Sequence, residues 1–157
     1  MKIRADEHVA QAIIRAINDI ALSDGFELSS VVGSGQRGSS DVHWITAFVQ
    51  DGGEAILTAD TDFIKEPPQV LAIQKTGVRV IHLPSGWANA ALAMQAAHLL
   101  MWWRRIENQL AAMKPRECYS PSYSLNEDAA LRKVSLDFQA AAKKQKKAER
   151  HNRGASQ

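Results

Sequence analysis

The chain has 157 residues, 45% apolar and 23% charged, which is one globular domain's worth with material for a real core. No apolar run reaches the ~20 residues of a membrane span, Met1-Lys2-Ile3-Arg4 leading into Asp6 does not read as a secretory leader, and the lone Cys118 excludes an internal disulfide and fits a reducing cytosol. Net charge is +2 but uneven: residues 143–157 hold six basic side chains against Glu149, a net +5, which leaves −3 for the rest. A tail of that kind is either a solvated, frayed end or a sequence-blind contact to phosphate backbone. One cysteine and five scattered histidines argue against a structural zinc site.

In chain order, residues 2–5 read as a short strand ending at Asp6. Val9, Ile13, Ile14, Ile17 and Ile20 then recur at helical spacing over about 8–22, closed by Asp24-Gly25. Phe26 to Val32 is rich in β-formers. The Gly- and Ser-rich segment 33–40 is a loop, and Ser40 or Asp41 caps a helix running to about Gln50. Ala55 to Ala59 is a continuous apolar run, the signature of a central parallel strand. A short helix over 69–75 follows Pro67-Pro68, and 78–83 is a fourth strand. An Ala-rich amphipathic helix spans about 89–113, with Trp102 and Trp103 read as core or oligomer interface. Residues 114–124, holding Pro115 and Pro121, read as irregular, and a last helix over 126–147 fades into the polar end. The alternation predicts an α/β three-layer sandwich with a mostly parallel four-stranded sheet. Its division is 1–113 as the main domain and 114–157 as a helical extension with a basic disordered tail.

Four acids fall where this chain passes from a core strand or loop into a helix: Asp6, Asp41, Asp60 and Asp62. In a parallel sheet those junctions gather at the carboxyl edge, where ligand sites form. Asp41 alone reads as a helix cap. Asp60 and Asp62, two residues apart after a buried strand, exceed what one cap needs. Carboxylates brought together repel unless a cation neutralises them, and hard oxygen ligands suit Mg²⁺ or Mn²⁺. An ion so held activates water against a phosphodiester. Gly33-x-Gly35-x-x-Gly38 mimics a dinucleotide fingerprint, yet it follows the second strand rather than the first. It is better read as a connector or a substrate loop with Arg37 on phosphate.

The segments Met1-Lys2-Ile3-Arg4-Ala5-Asp6-Glu7-His8, Gly38-Ser39-Ser40-Asp41-Val42-His43-Trp44-Ile45 and Ile56-Leu57-Thr58-Ala59-Asp60-Thr61-Asp62-Phe63 resemble, in order and spacing, the PIN-domain ribonuclease superfamily. The resemblance lies with its compact branch related to the VapC toxins of bacterial toxin–antitoxin pairs and covers roughly residues 1–84. It implies that Asp6, Asp41, Asp60 and Asp62 are the catalytic and metal-binding acids, and that Thr58 lines the site. His8 stands where the family carries Asn or Ser, and contacts substrate in this reading. Glu7 reads as an exposed acid pointing away. The implied protein is a cytoplasmic Mg²⁺- or Mn²⁺-dependent endoribonuclease, the toxin of a pair, with RNA as substrate, an antitoxin partner, a homodimeric state and no membrane association. Two other readings compete: a catalytically inactive PIN-like module that holds RNA or protein, and a phosphoacceptor receiver. The receiver would want an acidic pair after the first strand, a lone acceptor Asp after the third and a Lys after a later one; here the Asp60/Asp62 pair comes late and no Lys follows Ile81-His82-Leu83.

Overall fold

In the computed structural model, which describes residues 1–36, 38 and 40–155, one six-stranded sheet carries the fold. Its strands are β1 (Lys2–Ala5), β2 (Glu27–Ser30), β3 (Ala55–Thr58), β4 (Arg79–His82), β5 (Cys118–Ser120) and β6 (Arg132–Val134). The order across the sheet is β2-β1-β3-β4-β5-β6, parallel throughout except for the antiparallel β5–β6 pair. The helices are α1 (Gln11–Ile20), α2 (Asp41–Gln50), α3 (Pro67–Thr76), α4 (Leu92–Ala112) and α5 (Phe138–Ala155), with a 3₁₀ turn at Trp87–Asn89. The expected α/β sandwich is what forms, with six strands rather than four.

Two apolar cores hold the three layers together. On one face α1 and α4 pack Ile13, Ile17, Leu99, Trp102, Trp103 and Ile106 against Ile3, Ala5, Leu57 and Ile81 of the sheet. On the other, α2 and α3 pack Trp44, Ile45, Phe48, Ala72 and Ile73 against Ile56, Val80 and Cys118, and Phe138 of α5 closes that core. β3 is buried at all four residues, as its unbroken apolar run requires. Trp102 and Trp103 are both fully buried, so they are core.

Local signals set several boundaries. Ser40 caps α2, its hydroxyl accepting the His43 N–H at 3.3 Å. α3 starts on Pro67-Pro68 rather than after them, since proline is tolerated where the helix has no internal partner for its amide. Gly77, at φ +76, ends that helix with its N–H on the Ile73 carbonyl. α1 begins at Gln11 and not His8, because the Asp6 carboxylate captures the His8 N–H at 3.0 Å and turns the backbone.

The largest difference from expectation lies beyond residue 113. Residues 118–120 are not irregular: they form β5, parallel to β4, and 132–134 return as β6. No helix starts at Asn126, whose side-chain oxygen takes the Asp128 N–H at 3.0 Å and favours a turn. The last helix starts at Phe138, with Asp137 accepting the Ala140 N–H at 2.8 Å as a cap, and runs to Ala155 rather than fading after Lys147.

Cys118 lies fully buried in β5, and burial pushes its thiol up to about 12. Native protein at pH 8 should therefore resist iodoacetamide and alkylate completely in urea. Labelling of the native form, read by mass spectrometry, would contradict this packing.

Candidate active site

β1, β3 and the entrance to α2 deliver three acids to one place. Asp6 leaves β1 with its N–H on the Leu57 carbonyl at 3.0 Å, so it stands level with Thr58 on β3. The Thr58 hydroxyl donates to Asp6 Oδ2, and the His8 N–H donates to Asp6 Oδ1. The same hydroxyl oxygen accepts the Asp60 N–H at 3.1 Å. Asp60 Oδ1 accepts the Asp62 N–H at 2.9 Å, which fixes the turn after β3. Asp41, first residue of α2, accepts the Trp44 indole N–H at 3.0 Å and the Gln69 amide at 2.8 Å. Five side chains and one backbone edge, Asp6, Glu7, His8, Asp41, Asp60 and Gly38, line a cavity of about 130 Å³. A neighbouring cavity of about 220 Å³ continues past His8 and Asp60 to Asn89.

The field of the cluster is legible on His8. Its Nδ1 lies 3.6 Å from Asp6 Oδ2, an ion-pair distance somewhat beyond a good hydrogen bond. Asp6 raises the imidazole to about 9, with Asp60 and Asp41 adding to it and partial burial opposing. Because the folded value lies above the ordinary 6.5, this contact stabilises the fold fully below pH 6.5 and is lost as pH rises through about 9. In EDTA, the His8 ring proton followed by NMR should titrate near 9 in wild type and fall toward 6.5 in Asp6→Asn. A wild-type titration near 6.5 would show that the carboxylates do not converge on the ring.

Glu7 is exposed but does not point away. It lines the cavity, and its carboxylate accepts the Gly38 N–H at 2.7 Å, tying the 33–40 loop to the cleft. Gly38 sits at φ +78, where a side chain would be strained. Asp62 takes a different place from the other three. Its side chain is 66% exposed, lies outside the cavity and pairs with Lys65 at 3.8 Å. Arg37 lies outside the described residues. Two further residues escape a reading of the sequence, Gln69 and His82. Gln69 braces Asp41 from α3, and His82 bonds the Asp60 carbonyl through Nε2 at 3.0 Å. Burial lowers the basicity of His82, with the Asp60 carbonyl and the nearby carboxylates opposing it. Neither has a sequence signal, since each depends on how α3 and β4 dock beside the acids.

The donor set suits a hard divalent ion in its chemistry. Each carboxylate offers about four lone-pair sites, so the bonds already made leave capacity on Asp6, Asp41 and Asp60. Among the described residues, no three Asp, Glu, His or Cys side chains close around a single point. Mg²⁺ is commonly held by one or two carboxylates plus water and substrate phosphate rather than by a full protein cage. Among the described residues, no helix is long and apolar enough to cross a membrane.

No curated protein and no solved structure matches this chain. A family model described as a PIN like domain matches residues 1–85, from β1 through β4 and every acid of the cleft. With more than half of its length matched, and with the strand order and acid placement described above, the chain belongs to the PIN-like domain family, a nuclease-type superfamily.

Proposed function

We propose that this protein is a divalent-metal-dependent endoribonuclease that hydrolyses RNA phosphodiester bonds. The observation that carries the reading is the convergence of Asp6, Asp41 and Asp60 on one cavity at the carboxyl edge of the sheet. In this reading Asp6, Asp41 and Asp60 share Mg²⁺ or Mn²⁺, one or two of them as direct ligands and the rest through water, and Asp62 acts as a fourth acid through water from outside the cavity. When bound, the ion supplies an activated water and offsets charge on the phosphate oxygens. The chain's own residues orient and restrain. Thr58 and the His8 amide fix Asp6, Trp44 and Gln69 fix Asp41, and the turn to Asp62 fixes Asp60. His8 turns Nδ1 to Asp6, which leaves Nε2 to face a phosphate oxygen. Arg37 on the 33–40 loop provides a second phosphate contact in this reading.

Within it, the protein is the toxin of a bacterial toxin–antitoxin pair and a homodimer. The support is the resemblance of its motifs to VapC relatives, together with Met94 and Met101, about half exposed on α4. A second reading, an inactive module that binds RNA, is favoured by the protein donors that already engage both oxygens of Asp6 and Asp41. One experiment separates them: incubation of a bacterial RNA pool with wild type and Asp60→Asn, in Mg²⁺, Mn²⁺ or EDTA, alongside expression of both in cells. Discrete metal-dependent fragments and growth arrest with wild type alone are expected. Bound but intact RNA in both metals would favour the inactive module.

A further inference from the structure

The register of the sheet sets one row of side chains along its carboxyl edge. Asp6 is level with Thr58, Thr58 pairs with His82, and Ser120 pairs with Arg132. Val80 pairs with Cys118, which places Ser120 beside His82. Side chains two residues apart on a strand share a face. Thr58 therefore shares the face of Ile56, His82 that of Val80, Ser120 that of Cys118 and Arg132 that of Val134, and all four of those apolar residues pack in the α2–α3–α5 core. The row runs acid, hydroxyl, imidazole, hydroxyl, guanidinium across five adjacent strands. With neighbouring strands about 4.8 Å apart, Arg132 stands roughly 14 Å from Thr58 along the edge.

At the far end of that row is a cavity of about 450 Å³ lined by His82, Ser85, Ser120, Arg132, Lys133 and Ser135. Pro84 and Val134 complete the lining, and its polar side chains are hydroxyls, the His82 imidazole and two cations, with no carboxylate among them. The Lys133 ammonium is already paired with Glu117 at 2.6 Å. Arg132 is exposed, and its guanidinium has no hydrogen bond or ion pair among the described residues, so it brings the uncompensated charge. α5 starts at the amino edge, where β6 ends, and packs along α3. From Lys146 to Gly154 every residue is exposed, including Lys146, Lys147, Arg150 and Arg153.

We propose that the Arg132 cavity is a subsite for a further phosphate of the RNA strand whose scissile phosphate lies at the acidic cleft, with Arg132 as the anchoring cation and Ser85 as a hydroxyl donor. It rests on the nucleic-acid reading above and adds a direction to it. The strand lies along the sheet edge from β1 toward β6, with one phosphate at the acids and another at Arg132. A guanidinium matches phosphate in two parallel hydrogen bonds, and the contact ignores base identity. Arg132, its anchoring cation, lies outside the matched residues 1–85, whereas His82 and Ser85 lie within them.

The test is equilibrium binding of a short fluorescein-labelled single-stranded RNA, and of the DNA of the same sequence, to full-length protein in EDTA over a salt series. Arg132→Ala should raise Kd about tenfold and reduce the slope of log K against log salt by about 0.7. Arg132→Glu should weaken binding further. Lys75→Ala, which removes the same charge from the exposed end of α3 at the opposite edge, should leave both quantities unchanged. Equal weakening by Lys75→Ala, unchanged binding in Arg132→Glu, or no RNA binding by wild type would each overturn the subsite. Cleavage is scored separately. RNA bound through Arg132 but never cut would sink the nuclease reading and leave the subsite standing, and RNA cut normally by Arg132→Glu at unchanged Kd would do the reverse.

Discussion

Asp60→Asn is expected to lower metal-dependent RNA cleavage by about a thousandfold, the order seen when a group that stabilises transition-state charge is removed. The fold should survive the change. An asparagine Oδ1 still accepts the Asp62 N–H that closes the turn, and the Asp60 N–H and carbonyl keep their bonds to Thr58 and His82. What is lost is one negative charge in the cavity shared with Asp6 and Asp41. Melting curves give an independent readout. Ions that bind only the folded state raise its stability by mass action, so Mg²⁺ or Mn²⁺ should raise the wild-type Tm and move the Asn variant much less. Equal cleavage by the two proteins would remove Asp60 from the mechanism. An equal rise in Tm would place the ion elsewhere.

Glu107→Leu should cost about 4 kcal/mol, a large share of a small domain's total stability. Glu107 is 1% exposed on α4 and serves three donors from two elements. Its carboxylate accepts the Ser23 N–H at 2.9 Å, the Ser23 hydroxyl at 2.5 Å and the Trp103 indole N–H at 2.9 Å. Leucine fills the volume but leaves all three without an acceptor, and the loop after α1 then keeps the bond that the Arg104 guanidinium donates to the Ser23 hydroxyl oxygen at 2.7 Å but loses its ties to Glu107. Arg104, mostly solvent-exposed and 3.8 Å away, cannot replace those bonds. Urea unfolding should show a lower midpoint at unchanged slope. Glu107→Gln, which keeps one acceptor oxygen, should recover part of the loss. A midpoint within error of wild type would mean that water reaches these groups.

What the sequence discloses here follows the physics of each signal. The all-apolar β3, the Ser40 cap and the run from Thr58 to Asp62 are legible because burial, capping and turn chemistry act over a few adjacent residues. For the same reason Asp6, Asp41 and Asp60 could be placed at one edge from strand order alone. β5 and β6 were not legible. Each is three residues long, and Cys118 and Val134 are held by β4 and the far core rather than by any periodicity of their own. The 126–131 segment carries helix-forming Ala and Leu, yet the Asn126 side chain claims the next amide and the chain turns instead. Glu7 was misread because its partner, the Gly38 amide, is 31 residues away. Asp62 joins the acids in sequence but not in the cavity, since the turn that positions Asp60 directs the next carboxylate toward Lys65.

The pairing of β5 with β4 has a consequence for where this molecule can be divided. β4 is the last strand of the matched region, and it would be a bare edge if the chain ended there. A row of unpaired amides and carbonyls on a flat apolar strand recruits other chains, and natural folds cover such rows. Here β5 occupies that row, the exposed side chains of Arg132 and Lys133 on β6 lie beyond it, and α4 seals the face beneath with Leu99, Trp102 and Trp103. The strands and helix that follow β4 thus cover the edge that the acid-bearing part would otherwise leave bare.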